Sequence, residues 1–526
     1  MTGRVYRDYQ RDRVGWFFGL TGTQLGLLTA GSLPVFWAAH VGWWSAAFAT
    51  LVGWVGLVVL VVVPVRGRSA VSWAAASLAH EVGHLLGWTR WTSRLADGRA
   101  TAPKLPDLPA PLDALRVHEA TSAGPGGDLA VVEDPSRRTW TVVARLQHAG
   151  LDWLTSEEQD QRAAGLAALL DAACRTELVS EVQVLVRACP EDGAEREHWL
   201  TEHRTHTPNA DVTTGAAATR LSRSVHDDLR RHLTSAATQT ETFLVLVLPE
   251  TRLRRQARQD SHARGARSSA NPLETRLQLL TAAAREIGQQ ATAYLGVNDV
   301  RWLDPSMLAQ ACRAGFHLDA GVALADAQAA ARTGTSEVEA EVPWAAAGPA
   351  HAEARPRSYL HDAWQSASVS VLLPPRGAVL GALAPVLAPG VAGERRCLLV
   401  AFPVMTATVA DRVTASREWA ADLGDGLRTR AGVRPRAKTR ADHATARGVD
   451  AKLVAGAALC RPYAIATTTI PTGQAKAAMG EATRRLEAAV RRAGYAAQRL
   501  DLAHDTAFAA GCLPLGHTFT RTGSTS

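Results

Sequence analysis

The chain has 526 residues, a hydrophobic content of 47% and a formal net charge of +7, which is enough length for two or three folded domains. Arginine carries almost all of the positive charge, and a basic chain of this kind fits an anionic membrane surface or nucleic acid. Six cysteines stand far apart without a CxxC pair, which predicts a reducing cytosolic environment and argues against a zinc ribbon or a disulfide framework.

Two apolar segments follow the N-terminal region. They cover about 24–41 and 44–63, and each is close to the ~20 residues that a membrane-spanning helix needs. Only His40, Gly42, Trp43 and their neighbours remain for the turn, so the sequence predicts a two-helix transmembrane hairpin over 1–65. A cleaved signal peptide fits less well, because two apolar segments follow each other directly.

Charged residues around the hairpin predict its orientation. The connecting turn is uncharged, whereas arginines stand on both outer flanks: Arg4, Arg7, Arg11, Arg13, Arg66 and Arg68. By the positive-inside rule, both ends of the hairpin then lie in the cytoplasm. The expected localisation is the cytoplasmic (inner) membrane, with both termini cytosolic.

Residues 66–115 are predicted to form a juxtamembrane amphipathic helix and a Pro-rich connector at 102–111. Within 69–92 the following apolar residues recur at helical spacing: Val71, Leu78, Val82 and Leu85. The opposite side still carries Trp73 and Trp91, so this helix is expected to lie on the membrane or to be packed on two sides.

Strand-like and helix-like segments alternate through the remaining chain, which predicts an α+β protein: the hairpin followed by a cytosolic mixed α/β region. Its two parts, 116–332 and 358–526, are separated by 333–357, whose composition predicts a linker or an inserted loop. Strands are predicted at 139–146, 182–186, 242–248, 292–297, 397–402 and 464–468. Helices are predicted at 157–174, 221–236, 274–289, 304–314, 407–423 and 474–493, with a polar break at 258–271.

The entry into the first apolar segment carries a family resemblance. Residues 16–25 read WFFGLTGTQL after a basic segment. This run resembles the start of the PrgI-like family, whose members are small two-span membrane components of type IV secretion and conjugation systems. The resemblance covers about the first 65 residues.

The rest of the chain resembles, more weakly, the amino-terminal domain of the VirB-type conjugation ATPase. Three places carry this resemblance: Trp140–Gln147 with the following helix, Thr292–Cys312, and Arg491–Gly516. Actinobacterial conjugative elements encode proteins that join such a hairpin to such a domain, and this chain is similar to them. The resemblance implies a non-catalytic subunit that anchors or docks a motor ATPase or other inner-membrane subunits, within a larger complex.

The motor domain of that ATPase family contains a P-loop, and no lysine of this chain lies in such a motif. A P-loop requires GxxxxGK[ST], whose backbone amides and lysine surround the phosphates. None of the four lysines follows a glycine: Lys104, Lys438, Lys452 and Lys476. The nearest approach is Gly432–Thr439, with Ala437 where glycine is required, so ATP hydrolysis is not expected.

An HExxH pattern lies in the predicted juxtamembrane helix. His80 and His84 would lie one helical turn apart and could bind zinc, with Glu81 as the general base. The longer protease pattern needs a third histidine where Arg90 stands. A plain amphipathic helix is therefore the expected structure, and a membrane-tethered zinc metalloprotease is the alternative from another functional class.

Other groups of residues give weaker evidence for a functional site. His198, Glu202 and His206 would share a helical face, but their spacing matches no known metal site, and Gly124–Gly127 reads as a turn. Two arginine groups could contact phosphates, or could be basic loops that face a membrane or an acidic partner. They contain Arg252, Arg254, Arg255 and Arg258 in one, and Arg428, Arg430, Arg434, Arg436 and Arg440 in the other.

The sequence therefore predicts no enzyme and no catalytic, cofactor-binding or metal-binding residue. The arginine groups hold no aromatic residue to stack bases, so contact with nucleic acid is not supported. The expected partners are a secretion ATPase, other membrane subunits and lipid. A type VII secretion subunit similar to the EccE family, which also begins with two spans, is the alternative of the same kind.

Overall fold

The structure is a computed structural model. It describes residues 22–62, 64–65, 68–99, 102–121, 128–148, 154–190, 238–263, 271–321, 341–372, 381–391, 393–406, 408–412, 456–473 and 477–519, together with a few isolated positions. The chain divides into two compact units. The N-terminal unit holds Tyr9–Arg90 with Phe519–Ser526, and the sheet unit holds Trp91–Thr518 with Met1–Asp8.

The N-terminal unit is mainly helical. Its elements are α1 (Gly22–His40), α2 (Trp44–Val62), the short paired strands β1 (Pro64–Val65) and β2 (Arg68–Ser69), and α3 (Ala70–Leu85). Helices α1 and α2 contact each other, and the Trp54 indole Nε1 donates a hydrogen bond to the Leu28 carbonyl at 3.0 Å. A Cβ at Gly31 would come within 2.6 Å of Leu57 Cδ2, so glycine permits this close approach.

The sheet unit alternates strands and helices. Its first part contains β3 (Arg90–Thr92), β4 (Arg116–Ala120), β5 (Leu129–Asp134), β6 (Thr139–Gln147), α4 (Ser156–Arg175), β7 (Glu181–Pro190), β8 (Thr238–Pro249), α5 (Glu250–Ala263), α6 (Pro272–Leu295), β9 (Asp299–Trp302) and α7 (Pro305–Phe316). Its second part contains β10 (His351–Arg355), β11 (Ser358–His361), β12 (Trp364–Leu372), α8 (Ala384–Leu387), β13 (Arg395–Pro403), β14 (Tyr463–Pro471), α9 (Ala478–Arg492), β15 (Ala496–Arg499) and α10 (His504–Cys512).

Among the described residues, the strands from β3 onward form one large antiparallel sheet. Their order is β3-β10-β11-β12-β14-β13-β7-β8-β6-β5-β4, with β15 paired to β12 and β9 paired to β6. The mixed α/β character that the sequence predicts is thus present. The strands predicted around 139–146, 182–186, 242–248, 397–402 and 464–468 all belong to this sheet.

Helices cover both faces of the sheet. Alternate residues of β6 and β8, such as Ala144 and Leu246, pack against Leu169 of α4 and Ile287 of α6. In the second part, the same face is covered by α8 and α9, through residues that include Leu486. The opposite face is covered by α10, whose Gly511 lies against Ile465 and Thr467 of β14, with a Cβ position 3.2 and 3.3 Å from their side chains.

The sheet unit contains an internal duplication. Strands β4-β5-β6-β8-β7 and β10-β11-β12-β14-β13 have the same order, and in each set a last strand pairs beside the third one. In each set, one row of cross-strand partners runs through the corresponding strands. The row contains Trp302, Ala144, Leu244 and Val184 in the first set, and Arg499, Val369, Ala466 and Leu398 in the second. The two sets meet where β7 pairs with β13, and helix α5 of the first set has no counterpart among the described residues of the second.

Two predictions near α6 are wrong. The strand predicted at 292–297 is the end of α6, where Thr292 Oγ1 bonds the Gly288 carbonyl at 3.1 Å and Gly296 ends the helix with a φ of 58°. The strand comes later, at Asp299–Trp302. The polar break predicted from 258 begins too early, because α5 continues to Ala263.

The prediction of a linker or an inserted loop at 333–357 is wrong for its last part, because the structure describes 341–357 as packed chain that includes strand β10. Trp344 and Ala345 are buried, and β10 begins at His351. A Cβ at Gly348 would come within 2.6 Å of the Asp107 carbonyl oxygen, so the small residues reflect close packing and not flexibility. The Pro-rich connector is likewise packed within the sheet unit, with Leu108 buried.

The observed boundaries also differ from the predicted ones. The division between the units falls at Arg90, so the connector up to 115 lies in the sheet unit. Regions 116–332 and 358–526 are not independent, because β7 and β13 pair along their length. The predicted helices at 221–236 and 407–423 lie mostly outside the described residues.

Candidate membrane surface and arginine groove

Helix α2 has the properties of a membrane-spanning segment. Its residues Trp44–Val61 form an uncharged apolar stretch of 18 residues, and only 11% of them are buried. A core helix of the same composition would bury these side chains, whereas Phe48 is 70% exposed. Among the described residues, α2 is the one helix long and apolar enough to cross a membrane.

Helix α1 shares the exposed apolar surface but is less apolar overall. Leu33, Phe36 and Trp37 are exposed, while Gly31 and Pro34 lower the apolar content. Aromatic rings collect at the α1–α2 turn, where Trp37 and Trp43 pack edge to face with centroids 6.0 Å apart. Tryptophan is enriched where a membrane meets water, so this end of the pair has the composition of an interface.

The HExxH residues lie on α3 as predicted for a helix. His80 is half-buried, and Glu81 and His84 are exposed. A catalytic zinc ion needs three protein ligands and a water, and Arg90 stands at the position of the third histidine. Within the part of the chain that the structure describes, no group of three or more His, Cys, Asp and Glu residues is placed to hold a metal ion.

The first arginine group lies on a helix and not on a loop. Helix α5 borders an open groove of about 630 Å³ that is lined by Thr251, Arg254, Arg255, Arg258 and Gln259. Arg254 forms an ion pair with Glu250 at 2.7 Å, one turn earlier. Guanidinium groups in such a groove can contact phosphate or carboxylate oxygens.

Arg252 of the same group has a structural role. Its Nη1 donates a hydrogen bond to the Val179 carbonyl at 2.6 Å, and the side chain is half-buried. Burial lowers the pKa of this guanidinium. The sequence pattern placed four arginines together, but the helix divides them between the groove and the interior.

Several sequence candidates lie outside the described residues, and the structure does not test them. These are Gly124–Gly127, the cluster of His198, Glu202 and His206, the approach to a P-loop at Gly432–Thr439, and the second arginine group at 428–440.

Sequence reasoning missed a buried ionic layer at the centre of the sheet. Arg187 of β7 donates from Nε and Nη2 to Glu241 Oε2 at 3.1 and 2.6 Å, and from Nη1 to the Ala311 carbonyl at 2.7 Å. Burial by itself raises the pKa of Glu241, but the charges of Arg187 and Arg145 outweigh it and hold this pKa below its ordinary value. The arginine within the apolar run QVLVRAC is the sequence feature that could have indicated a buried ion pair.

A second arginine acts on the same helix. Arg395 of β13 donates to the Ala314 and Gly315 carbonyls at 2.9 and 2.5 Å. Arg187 and Arg395 therefore bind carbonyls in the last two turns of α7, toward the end where the helix dipole favours positive charge. This arrangement holds α7 on the sheet and presents no group to solvent.

A histidine and a serine, residue types that form catalytic pairs in enzymes, lie together in the interior without access to solvent. His361 Nε2 and Ser366 Oγ are 2.9 Å apart, and Ser366 Oγ is also 2.8 Å from Thr469 Oγ1. His361 and Ser366 are 0% and 1% exposed. Burial lowers the pKa of His361 well below its ordinary value, so the imidazole is neutral and belongs to the interior hydrogen bonding of the sheet.

In comparisons with known proteins, the chain matches no protein-family model and no curated protein.

Proposed function

We propose that this protein is a non-catalytic inner-membrane subunit of a type IV secretion or conjugation apparatus. The N-terminal helices anchor it, and the sheet unit docks a motor ATPase or neighbouring subunits. The observation that carries the proposal is the exposure of α2: a long uncharged apolar helix that is 11% buried is suited to lipid and not to water. The PrgI-like resemblance of residues 16–25 supplies the type of apparatus.

The proposal includes a second span. Helices α1 and α2 each contain 19 residues, which corresponds to about 28 Å and approaches the ~30 Å of a bilayer core. Only Val41–Trp43 separates them, so two spanning helices would return the chain to its starting side. The arginines on the outer flanks then put both termini in the cytosol.

Docking is supported by area and charge. A specific interface needs about 800 Å² on each partner, which a helical pair buried in lipid offers poorly and the sheet unit offers readily. The arginine groove on α5 adds guanidinium groups that suit an acidic partner surface.

The orientation is tested with fusions of a periplasm-active reporter. A reporter joined after Gly42 should be active, and one joined after Arg94 should be silent. The reverse pattern would contradict the proposed topology.

The role is tested by deleting the gene in a donor cell that carries a conjugative element. Transfer should be lost and should return with the wild-type gene, and the purified protein should bind the element's P-loop ATPase without hydrolysing ATP itself. Lys438→Ala should restore transfer as well as wild type does. Normal transfer in the deletion strain, or ATP turnover that Lys438→Ala abolishes, would contradict the role.

A further inference from the structure

Helix α3 exposes a stripe of apolar side chains, while the opposite side of the helix is half-buried. Val71, Leu78, Val82 and Leu85 are separated by seven, four and three residues, so they share one face of the helix. All four are exposed, with Leu78 at 67% and Leu85 at 86%. In a water-soluble protein this stripe would face the core.

The protected side of α3 holds different residues. Trp73, Ala76, His80 and Gly83 follow each other at helical spacing, and all four are half-buried or buried. The turn after α3 covers this side, because Trp88 and Thr89 approach the Gly83 position to 4.0 and 3.6 Å. The helix therefore turns His80 toward the protein and Leu78 and Leu85 away from it.

We infer that α3 lies in the membrane–water interface with the Val71, Leu78, Val82 and Leu85 face in the lipid. The occupant is the bilayer that α2 crosses, since α3 begins at Ala70, only a few residues after α2 ends at Val62. With 16 residues and Glu81 on its surface, α3 is too short and too polar to span. This inference rests on the proposed membrane anchoring of α2.

The residues around α3 fit a lipid occupant. Leu86 and Trp88 continue the exposed apolar surface beyond the helix, at 57% and 76% exposure. Tryptophan is typical of the interfacial layer. Arginines precede α3 at 66 and 68 and follow it at 90, where anionic headgroups would attract them.

The experiment is nitroxide labelling of the full-length protein in vesicles of phosphatidylethanolamine and phosphatidylglycerol. Single cysteines are introduced by Leu78→Cys and Leu85→Cys on the apolar face. His84→Cys provides an exposed control position on the same helix, Val52→Cys provides a position on α2, and wild-type protein treated in the same way gives the background from native cysteines. Collision rates with oxygen, which partitions into lipid, are compared with those of a water-soluble nickel chelate.

We expect the labels at 78 and 85 to collide severalfold more with oxygen than with the chelate, relative to the label at 84. If the labels at 78 and 85 collide mainly with the chelate while the label at 52 is in lipid, α3 lies in water and the inference is wrong. Low collision rates with both reagents at 78 and 85 would mean that a protein surface, such as a second copy, covers the face, and would also overturn it. A label at 52 exposed to the chelate would contradict the proposed membrane anchoring itself.

Discussion

Leu185 of β7 and Leu399 of β13 lie directly opposite each other at the line where the two halves of the sheet join. Each is also the structural equivalent of the other, because Val184 and Leu398, the preceding residues, occupy matching places in the two rows of paired strands. An axis of approximate twofold symmetry therefore passes between the two leucines. Both are 0% exposed.

This equivalence predicts that truncation of either leucine has a similar cost. Leu185→Ala and Leu399→Ala should each lower the free energy of unfolding by about 2–5 kcal/mol, since each leaves a cavity at the centre of the sheet. The measurement is the thermal unfolding midpoint of the purified protein in detergent. Leu95→Ala is the control, because Leu95 is 56% exposed and its truncation should change stability by less than about 0.5 kcal/mol. A large shift for one leucine and none for the other would contradict the symmetric junction.

The Arg187–Glu241 pair predicts strong coupling between two variants. Arg187→Met should destabilise the protein by about 3–5 kcal/mol, because it leaves the Glu241 carboxylate without its buried partner. Adding Glu241→Met should recover part of this loss, since no unpaired charge then remains in the interior. Unfolding midpoints of wild type, both single variants and the double variant give the coupling energy. Additive effects of the two substitutions would show that the pair is not an energetic unit.

His517 predicts a dependence of stability on pH. Burial, together with the neighbouring Arg137 charge, lowers the pKa of His517 to about 3. Arg137 Nη2 lies 2.9 Å from His517 Nε2, and arginine can only donate, so the imidazole accepts and is neutral. The unfolded chain takes up a proton near pH 6.5, whereas the folded chain does so only near 3.

His517 therefore makes its full contribution to the free energy of unfolding above about pH 6.5. This contribution is lost as the pH falls toward 3, by about 1.4 kcal/mol per pH unit. His517→Gln keeps an acceptor for Arg137 but does not titrate. We expect the variant to lose less stability than wild type between pH 6.5 and 4, as measured by unfolding midpoints at several pH values. Parallel pH profiles for the two proteins would contradict the assignment.

Helix α5 provides a matched pair of arginines. Arg252→Ala should destabilise the protein by about 1–3 kcal/mol, because the buried Val179 carbonyl loses its donor. Arg255→Ala should change stability by less than about 0.5 kcal/mol, because Arg255 is exposed in the groove. Thermal unfolding of the two variants side by side tests the distinction. Equal shifts would mean that the helix does not divide the arginines in this way.

The elements that were predictable from sequence are those with continuous apolar patterns. Strands such as β8 and β13 are buried on both faces and read as apolar runs, and α2 is an uncharged apolar helix. The segment at 341–357 was misread because alanine and glycine serve there to allow close packing, as at Gly348. Composition alone does not separate close packing from flexibility.

The duplication could not be seen in the sequence because equivalent positions have diverged. Trp302 corresponds to Arg499, and Glu181 corresponds to Arg395. What the two halves share is the order of strands and the alternation of buried positions, which many residue combinations satisfy. The ionic layer at the junction was hidden for a related reason, since its partners come from strands and helices far apart in the chain.

The last prediction separates a lipid-facing α3 from a zinc-binding one. Val82→Asp puts a charge into the exposed apolar face beside Leu78 and Leu85, so it should reduce conjugative transfer strongly. Glu81→Gln keeps the size and helix propensity of Glu81 and removes only its charge, so transfer should stay near the wild-type level. A zinc protease requires the opposite order, because loss of the general base abolishes catalysis.

Zinc analysis of the purified protein gives a readout that is independent of transfer. Metal content should not change between wild type and His80→Ala, because the described residues bring no third ligand to the two imidazoles on α3, and a catalytic zinc site needs three. Protein levels in the membrane fraction are compared for all variants, so that a loss of transfer by Val82→Asp can be assigned to altered membrane contact only when the protein is present. If Glu81→Gln abolishes transfer at normal protein level and one bound zinc disappears with His80→Ala, α3 is a catalytic helix and the structural interpretation of the HExxH segment is wrong.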